Sequence, residues 1–143
     1  MPIDETRIMG IDFGRKRIGI SLSDPLKTFA YSYKTIKNDN EKFFELEKII
    51  REKEIIKIIL GIPNEFKISP TSIVESVKEF KSDLEAKFKL EVILWDETYT
   101  SVIAEQKILQ SVSSKKKRQD KSLVDMNSAS IILQEYLDSV RRN

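Results

Sequence analysis

The chain has 143 residues, 40% hydrophobic and 34% charged, with 25 Lys and Arg against 23 Asp and Glu and a net charge of +2. That length suits one domain with its own core, and the composition is too apolar for a chain disordered throughout. There is no Cys and no His, which excludes disulfides, thiolate or imidazole metal sites, cysteine nucleophiles and Ser-His-Asp triads; catalysis is left to carboxylates, lysines, hydroxyls or an oxygen-held cation such as Mg²⁺ or Mn²⁺.

Arg7 to Phe13 predicts a strand, with Ile8, Met9 and Ile11 apolar. Arg17 to Ser23 predicts a second, in which Ile18, Ile20 and Leu22 alternate with Gly19, Ser21 and Ser23. Gly14-Arg15-Lys16 reads as the hairpin turn between them, Gly14 supplying permissive backbone angles. Asp24-Pro25 ends the second strand, and Phe29 to Ile36 predicts a third that completes an antiparallel meander. Asn38, Asp39 and Asn40 are N-cap candidates for a helix on which Phe43, Leu46 and Ile50 recur. Glu54 to Gly61 contains IIKIILG and suits a buried parallel strand. Ser72 with Glu75 resembles a capping box, and Ile73, Val77, Phe80, Leu84 and Phe88 then mark one helical face.

Val92 to Trp95 is another buried strand, and Thr100 is placed to cap a short helix through Leu109. A basic, polar loop, SSKKKRQDKS, runs from Ser113 to Ser122. On the last helix Ala129, Ile132, Leu133, Tyr136, Leu137 and Val140 step by three and four. Strands joined by helices are expected to be parallel, with right-handed crossovers. The expected architecture is α/β: a single domain over residues 1–143, built on a five-stranded mixed sheet with helices on both faces. With 4 Gly and 4 Pro there is no flexible linker, and no apolar run is long enough to span a bilayer. Asp4, Glu5 and Arg7 argue against a signal peptide, so a cytoplasmic location and no membrane partner are expected.

Three acids sit where a plain core would not put them. Asp12 interrupts an apolar strand, Glu97 follows the VILW-Asp96 run at a strand end, and Asp125 lies four residues before Ala129 on the sheet-facing stripe of the last helix. Burying them together costs several kcal/mol per ion unless a cation joins them. Two divalent ions, about 3.5–4 Å apart, hydrolyse phosphodiesters without His or Cys. Each acid also has a plain reading. Asp12 suits a hairpin flank, Asp96 and Glu97 suit a solvated loop, and Ser122-Leu-Val-Asp125 fits a Ser-x-x-acid helix start with Asp125 at N3. The three acids together favour the metal reading. Arg15, Lys16 and Arg17 follow Asp12, and Lys115, Lys116, Lys117, Arg118 and Lys121 precede Asp125, so both basic runs are expected to hold phosphates beside the acids. A solvated charge run is the alternative.

These segments resemble a family. GIDFGRKRIGISLSDP (Gly10 to Pro25), LGIP (Leu60 to Pro63), WDETYTS (Trp95 to Ser101) and KSLVDMNSASIILQEYLD (Lys121 to Asp138) are similar, in order and spacing, to the bacterial YqgF-like proteins. Those are described as Holliday-junction-resolvase-like proteins or 16S rRNA precursor nucleases with a ribonuclease H-like fold. The resemblance implies that Asp12, Glu97 and Asp125 are catalytic, metal-binding acids, that Mg²⁺ or Mn²⁺ is the cofactor, and that Arg17 and Lys121 contact phosphate. The chain departs from the family pattern at Thr98, in the Gly-less Asn64-Glu65-Phe66-Lys67, and at Asn127, Ser128 and Ser130.

The expected activity is metal-dependent endonucleolytic hydrolysis of structured nucleic acid, with processing of the 5′ end of the 16S rRNA precursor as the leading substrate and the ribosome as a further candidate partner. The alternatives are a Holliday-junction-resolvase-like DNA endonuclease and a nucleic-acid-binding protein without useful catalysis. Nucleotide binding of the actin or sugar-kinase type ranks last, because it normally uses two such domains. A monomer or weak homodimer is expected.

Overall fold

The apolar runs separate into β1 (Arg7–Phe13), β2 (Arg17–Ser23), β3 (Ala30–Lys37), β4 (Ile55–Ile62) and β5 (Glu91–Asp96), and the amphipathic runs into α1 (Lys42–Glu52), α2 (Ser72–Phe88) and α3 (Lys121–Arg141). The structure is a computed structural model that describes residues 4–62, 72–96 and 121–141, with the side chains of 72 and 121–127 outside that description. The strands form one mixed sheet in the order β3-β2-β1-β4-β5. β1 pairs antiparallel with β2 and parallel with β4, β2 pairs antiparallel with β3, and β4 pairs parallel with β5. The expected meander followed by parallel strands is therefore present, with β1 and β2 ending where expected and the ends of β3, β4 and β5 moved by one residue.

Strand alternation divides the apolar residues between two faces. Met9, Ile11, Ile18, Ile20, Leu22, Ile58 and Leu60 pack with Leu46 and Ile49 of α1 and Val77, Phe80 and Leu84 of α2 in the larger cluster. Ile8 and Ile59 pack on the other face with Ile132, Leu133, Tyr136 and Leu137 of α3. Helices thus cover both faces. β3 carries an irregularity, with Ile20 opposite Lys34 but Ser21 opposite Ser32. The extra residue turns Tyr33 and Lys34 to the α1 side, where Tyr33 joins the larger cluster and Lys34 pairs with Glu45 at 3.3 Å.

Three local expectations are corrected. Gly14 does not have a positive φ; glycine is needed for space, because a Cβ there would stand 2.6 Å from the Arg17 carbonyl oxygen. That oxygen accepts the Gly14 N–H at 2.9 Å and closes the hairpin. The N-cap of α1 is Glu41, with no side-chain cap bond. Asp39 instead accepts the Glu41 N–H at 2.9 Å, and Asn38 turns back to the hairpin. Lys121 is already helical, so Ser122 lies inside α3 and is not its N-cap. The expected helix from Thr100 to Leu109, and the basic loop as far as residue 120, lie outside the described residues.

Candidate active site at the carboxyl end of β1

Asp12 is the penultimate residue of β1 and is half-buried. It pairs across the ladder with Gly19, and Gly10 pairs with Ser21. Residues two apart on a strand share a face, so Gly10 shows which way Asp12 points. A Cβ on Gly10 would collide with Ser21 Oγ and lie 2.8 Å from Leu133 Cβ and 2.9 Å from the Ala129 carbonyl oxygen. Asp12 therefore sits on the α3 face, opposite a residue with no side chain. Its neighbour Phe13 points the other way, 4.7 Å from the Phe80 ring, which is 5.7 Å from Phe43. This aromatic stack holds the end of β1 against α1 and α2, so the acid stands on a rigid strand.

α3 is fastened to the same face by polar contacts. Ser21 Oγ is buried and donates to the Ala129 carbonyl at 2.8 Å. Gln134 bridges the helix to the sheet edge: its Oε1 accepts the Ala30 N–H at 2.8 Å and its Nε2 donates to the Thr28 carbonyl at 3.0 Å. Trp95, near the end of β5, packs edge-on against Tyr136 at 5.7 Å and donates from Nε1 to Glu135 at 3.0 Å. Lys57 donates to the Tyr136 hydroxyl at 3.0 Å. That hydrogen bond, with Glu91 nearby, raises the Lys57 pKa against the opposing effect of burial. Gln134, Tyr136 and Asp138 of the closing-helix motif thus act structurally, Asp138 accepting from Gln134 and Arg141 at 3.0 Å each.

Of the three acids read from the sequence, Asp12 is placed in full. Asp125 lies in α3 one turn before Ala129, about 6 Å along the helix axis, and its side chain is outside the described residues. Glu97 is outside them as well; Trp95, two positions earlier, is on the α3 face. Among the described residues, no three acids gather to hold a metal ion. Arg15 and Lys16 are exposed on the hairpin tip, and Arg17 opens β2 half-buried. Lys115, Lys116, Lys117 and Arg118 lie outside the described residues, and Lys121 is the first residue of α3, its side chain not described.

Sequence reasoning assigned no role to two groups on this face. Gly10 sets how closely α3 approaches, a role signalled only by its place two residues before Asp12. Lys37 stands directly across from Arg17, and only the β2–β3 register reveals it. Among the described residues, no helix is long and apolar enough to cross a membrane.

A mixed five-stranded sheet with helices on both faces and an acid at the carboxyl end of its central strand is the arrangement of ribonuclease H-like nucleases. The family model described as "RuvX: Holliday junction resolvase" matches residues 6–139. The chain belongs to that family, and its reaction class is that of a nuclease, a hydrolase of phosphodiester bonds in nucleic acid. It is 41% identical over 138 residues to a Clostridium tetani protein named "Putative pre-16S rRNA nuclease", with 94% of this chain and 97% of that protein covered. It is 38% identical over 137 residues to a Listeria monocytogenes protein of the same name, with 93% and 98% covered. In fold it is similar to Thermus thermophilus RuvC solved with a Holliday junction substrate, at TM-score 0.58 and 12% identity over 95% of this chain and 96% of that one. It is also similar to the fowlpox virus resolvase solved with Holliday junction DNA, at TM-score 0.57 and 16% identity over 94% and 98%. These two likenesses show the ribonuclease H-like fold alone.

Proposed function

We propose that this protein is a divalent-metal-dependent endonuclease that processes the 5′ end of the 16S rRNA precursor in the cytoplasm, with the ribosome as a further partner. The observation that carries the reading is the placement of Asp12: on a rigid strand end, on the α3 face, across from Gly19. The names of the relatives support the substrate. Asp12, Glu97 and Asp125 would hold the cation. A carboxylate-only donor set in a chain without His or Cys suits Mg²⁺ or Mn²⁺. Such an ion, when bound, supplies Lewis-acid polarisation of the phosphodiester and activation of the attacking water. The protein's own part would be to hold the carboxylates in fixed positions; the Phe13–Phe80 contact braces β1, and Ser21 and Gln134 fasten α3 to the sheet.

The description of the family model favours a second substrate, a four-way DNA junction. One experiment separates the two. A labelled 5′ segment of precursor 16S rRNA and a four-way DNA junction are incubated with Mg²⁺, Mn²⁺ or EDTA, using wild type and Asp12→Asn. The expected result is metal-dependent cutting of the RNA, reduced at least about a hundredfold in the variant with little change in melting temperature. Preferential cutting of the junction would shift the substrate to DNA. Full activity in Asp12→Asn would overturn the carboxylate mechanism, and binding without cutting of either would favour a non-catalytic role.

A further inference from the structure

Beyond the acids, the basic hairpin tip shares a surface with the end of β3. A groove of about 610 Å³ runs between the β1–β2 hairpin tip and the end of β3, lined by Arg15, Lys16, Arg17, Thr35, Lys37 and Asn38 among others. Arg17 and Lys37 are direct cross-strand partners. Arg15, Lys16, Arg17 and Lys37 thus bring four basic side chains to one groove, a lining whose charge suits an anionic ligand. The acid in the lining, Asp39, has its carboxylate engaged by the Glu41 N–H at 2.9 Å. The groove is also built. Asn38 donates from its backbone N–H to the Lys16 carbonyl at 2.9 Å and from Nδ2 to the Gly14 carbonyl at 2.8 Å, tying the hairpin tip to the end of β3.

Register gives its place relative to Asp12. Asp12 pairs with Gly19 and Gly19 with Thr35, so all three share the α3 face; Arg17 and Lys37, two residues further on, share it too. Two strand spacings across and two residues along put Lys37 about 12 Å from Asp12. Successive phosphates of one duplex strand lie about 6–7 Å apart through space, since each step combines the axial rise of about 3.4 Å with the helical turn, so that is about two nucleotides along one strand.

We propose that this groove is a phosphate-binding subsite that grips the nucleic-acid backbone about two nucleotides from the scissile bond, with Lys37 and Lys16 as its phosphate contacts and Asn38 as the residue that positions them. The proposal rests on the nuclease reading for its scissile bond. Its ligand chemistry is a run of backbone phosphates, whether of RNA or DNA. It sets substrate affinity and register rather than the chemical step.

The test reads binding apart from cleavage. Lys16→Gln, Lys37→Gln, the double variant and Lys48→Gln are made in the full chain. Lys48 is exposed on α1, on the opposite face, and controls for the loss of one positive charge. Binding to a fluorescent four-way DNA junction and to a fluorescent precursor-rRNA stem is measured in EDTA over a series of salt concentrations. The slope of log K against log salt should shrink by about 0.9 per lysine removed on the DNA probe, and the double variant should bind about tenfold more weakly at 0.15 M salt. Lys48→Gln should change neither. In steady-state cleavage the double variant should raise KM with kcat within about twofold of wild type.

A double variant indistinguishable from Lys48→Gln overturns the subsite. So does wild-type binding that is absent or independent of salt, or a loss confined to kcat. Which probe carries the larger change assigns the phosphates to RNA or DNA. Because the binding arm contains no divalent ion, an active Asp12→Asn would overturn the assignment of the acids and leave these slopes standing.

Discussion

The two faces of the sheet are built from the same five strands and do different work. On the α1/α2 side the buried residues are aliphatic and aromatic, and Leu46, Ile58, Leu60, Val77 and Leu84 are wholly shielded from solvent. On the α3 side the apolar cluster is smaller, and the strands present Gly10, Ser21 and Ser23 to the helix before giving way to Asp12, Arg17 and Lys37 toward the hairpin tip. The first face stabilises by removing apolar area from water. The second uses small and hydroxyl-bearing residues to let a helix lie close, and it grades into charge where that helix begins. The proposed function, which needs fixed carboxylates and bound phosphates, uses the face where apolar burial is already incomplete.

Three substitutions break or sharpen that division. The largest effect is expected from Leu46→Ala on the α1/α2 side, where loss of a fully buried leucine should cost about 2–5 kcal/mol in urea unfolding. The folded fraction should keep its kcat within about twofold, since Leu46 lies across the sheet from Asp12. Gly10→Ala comes next. Its methyl group would force α3 away from Ser21, Leu133 and the Ala129 carbonyl, costing about 1–3 kcal/mol. On the proposed reading Asp125, on the same helix, holds the cation, so kcat should fall by about tenfold or more, a larger catalytic loss than Leu46→Ala for a smaller loss of stability. Equal catalytic losses from the two variants would end the claim that the faces are functionally distinct.

Ser128→Ala is expected to have the smallest effect. Ser128 is 1% exposed, and its Oγ has no hydrogen-bond partner among the described residues. Removing the hydroxyl should leave stability unchanged or raise it by less than about 1 kcal/mol, measured as the urea midpoint. Destabilisation of more than that would show that this face depends on its hydroxyls as a connected set.

How much of this was readable beforehand differs from element to element. Ile18, Ile20 and Leu22 alternate strictly, and the α3 stripe from Ala129 to Val140 repeats at helical spacing, so both elements follow from periodicity. The caps were less legible. Asn38, Asp39 and Asn40 all suit an N-cap, yet Asn38 serves the hairpin and Asp39 the turn before α1. Side chains of that type satisfy whichever backbone groups the tertiary fold brings near them. Gly14 was legible as a turn residue but not in its reason, which is a close carbonyl rather than a left-handed backbone.

The sequence by itself determined the five strands and the three described helices, the lack of imidazole and thiolate chemistry, the three candidate acids and the family they resemble. These depend on local periodicity, residue type and motif order, all carried by the one-dimensional string. The tertiary structure decided the strand order, the face on which Asp12 stands, the close seat of α3 on Gly10, and the meeting of Lys37 with Arg17. Those depend on pairing register and on which helix covers which face. Both are outcomes of packing between segments far apart in the chain, and a one-residue change of register would send every side chain of a strand to the other side.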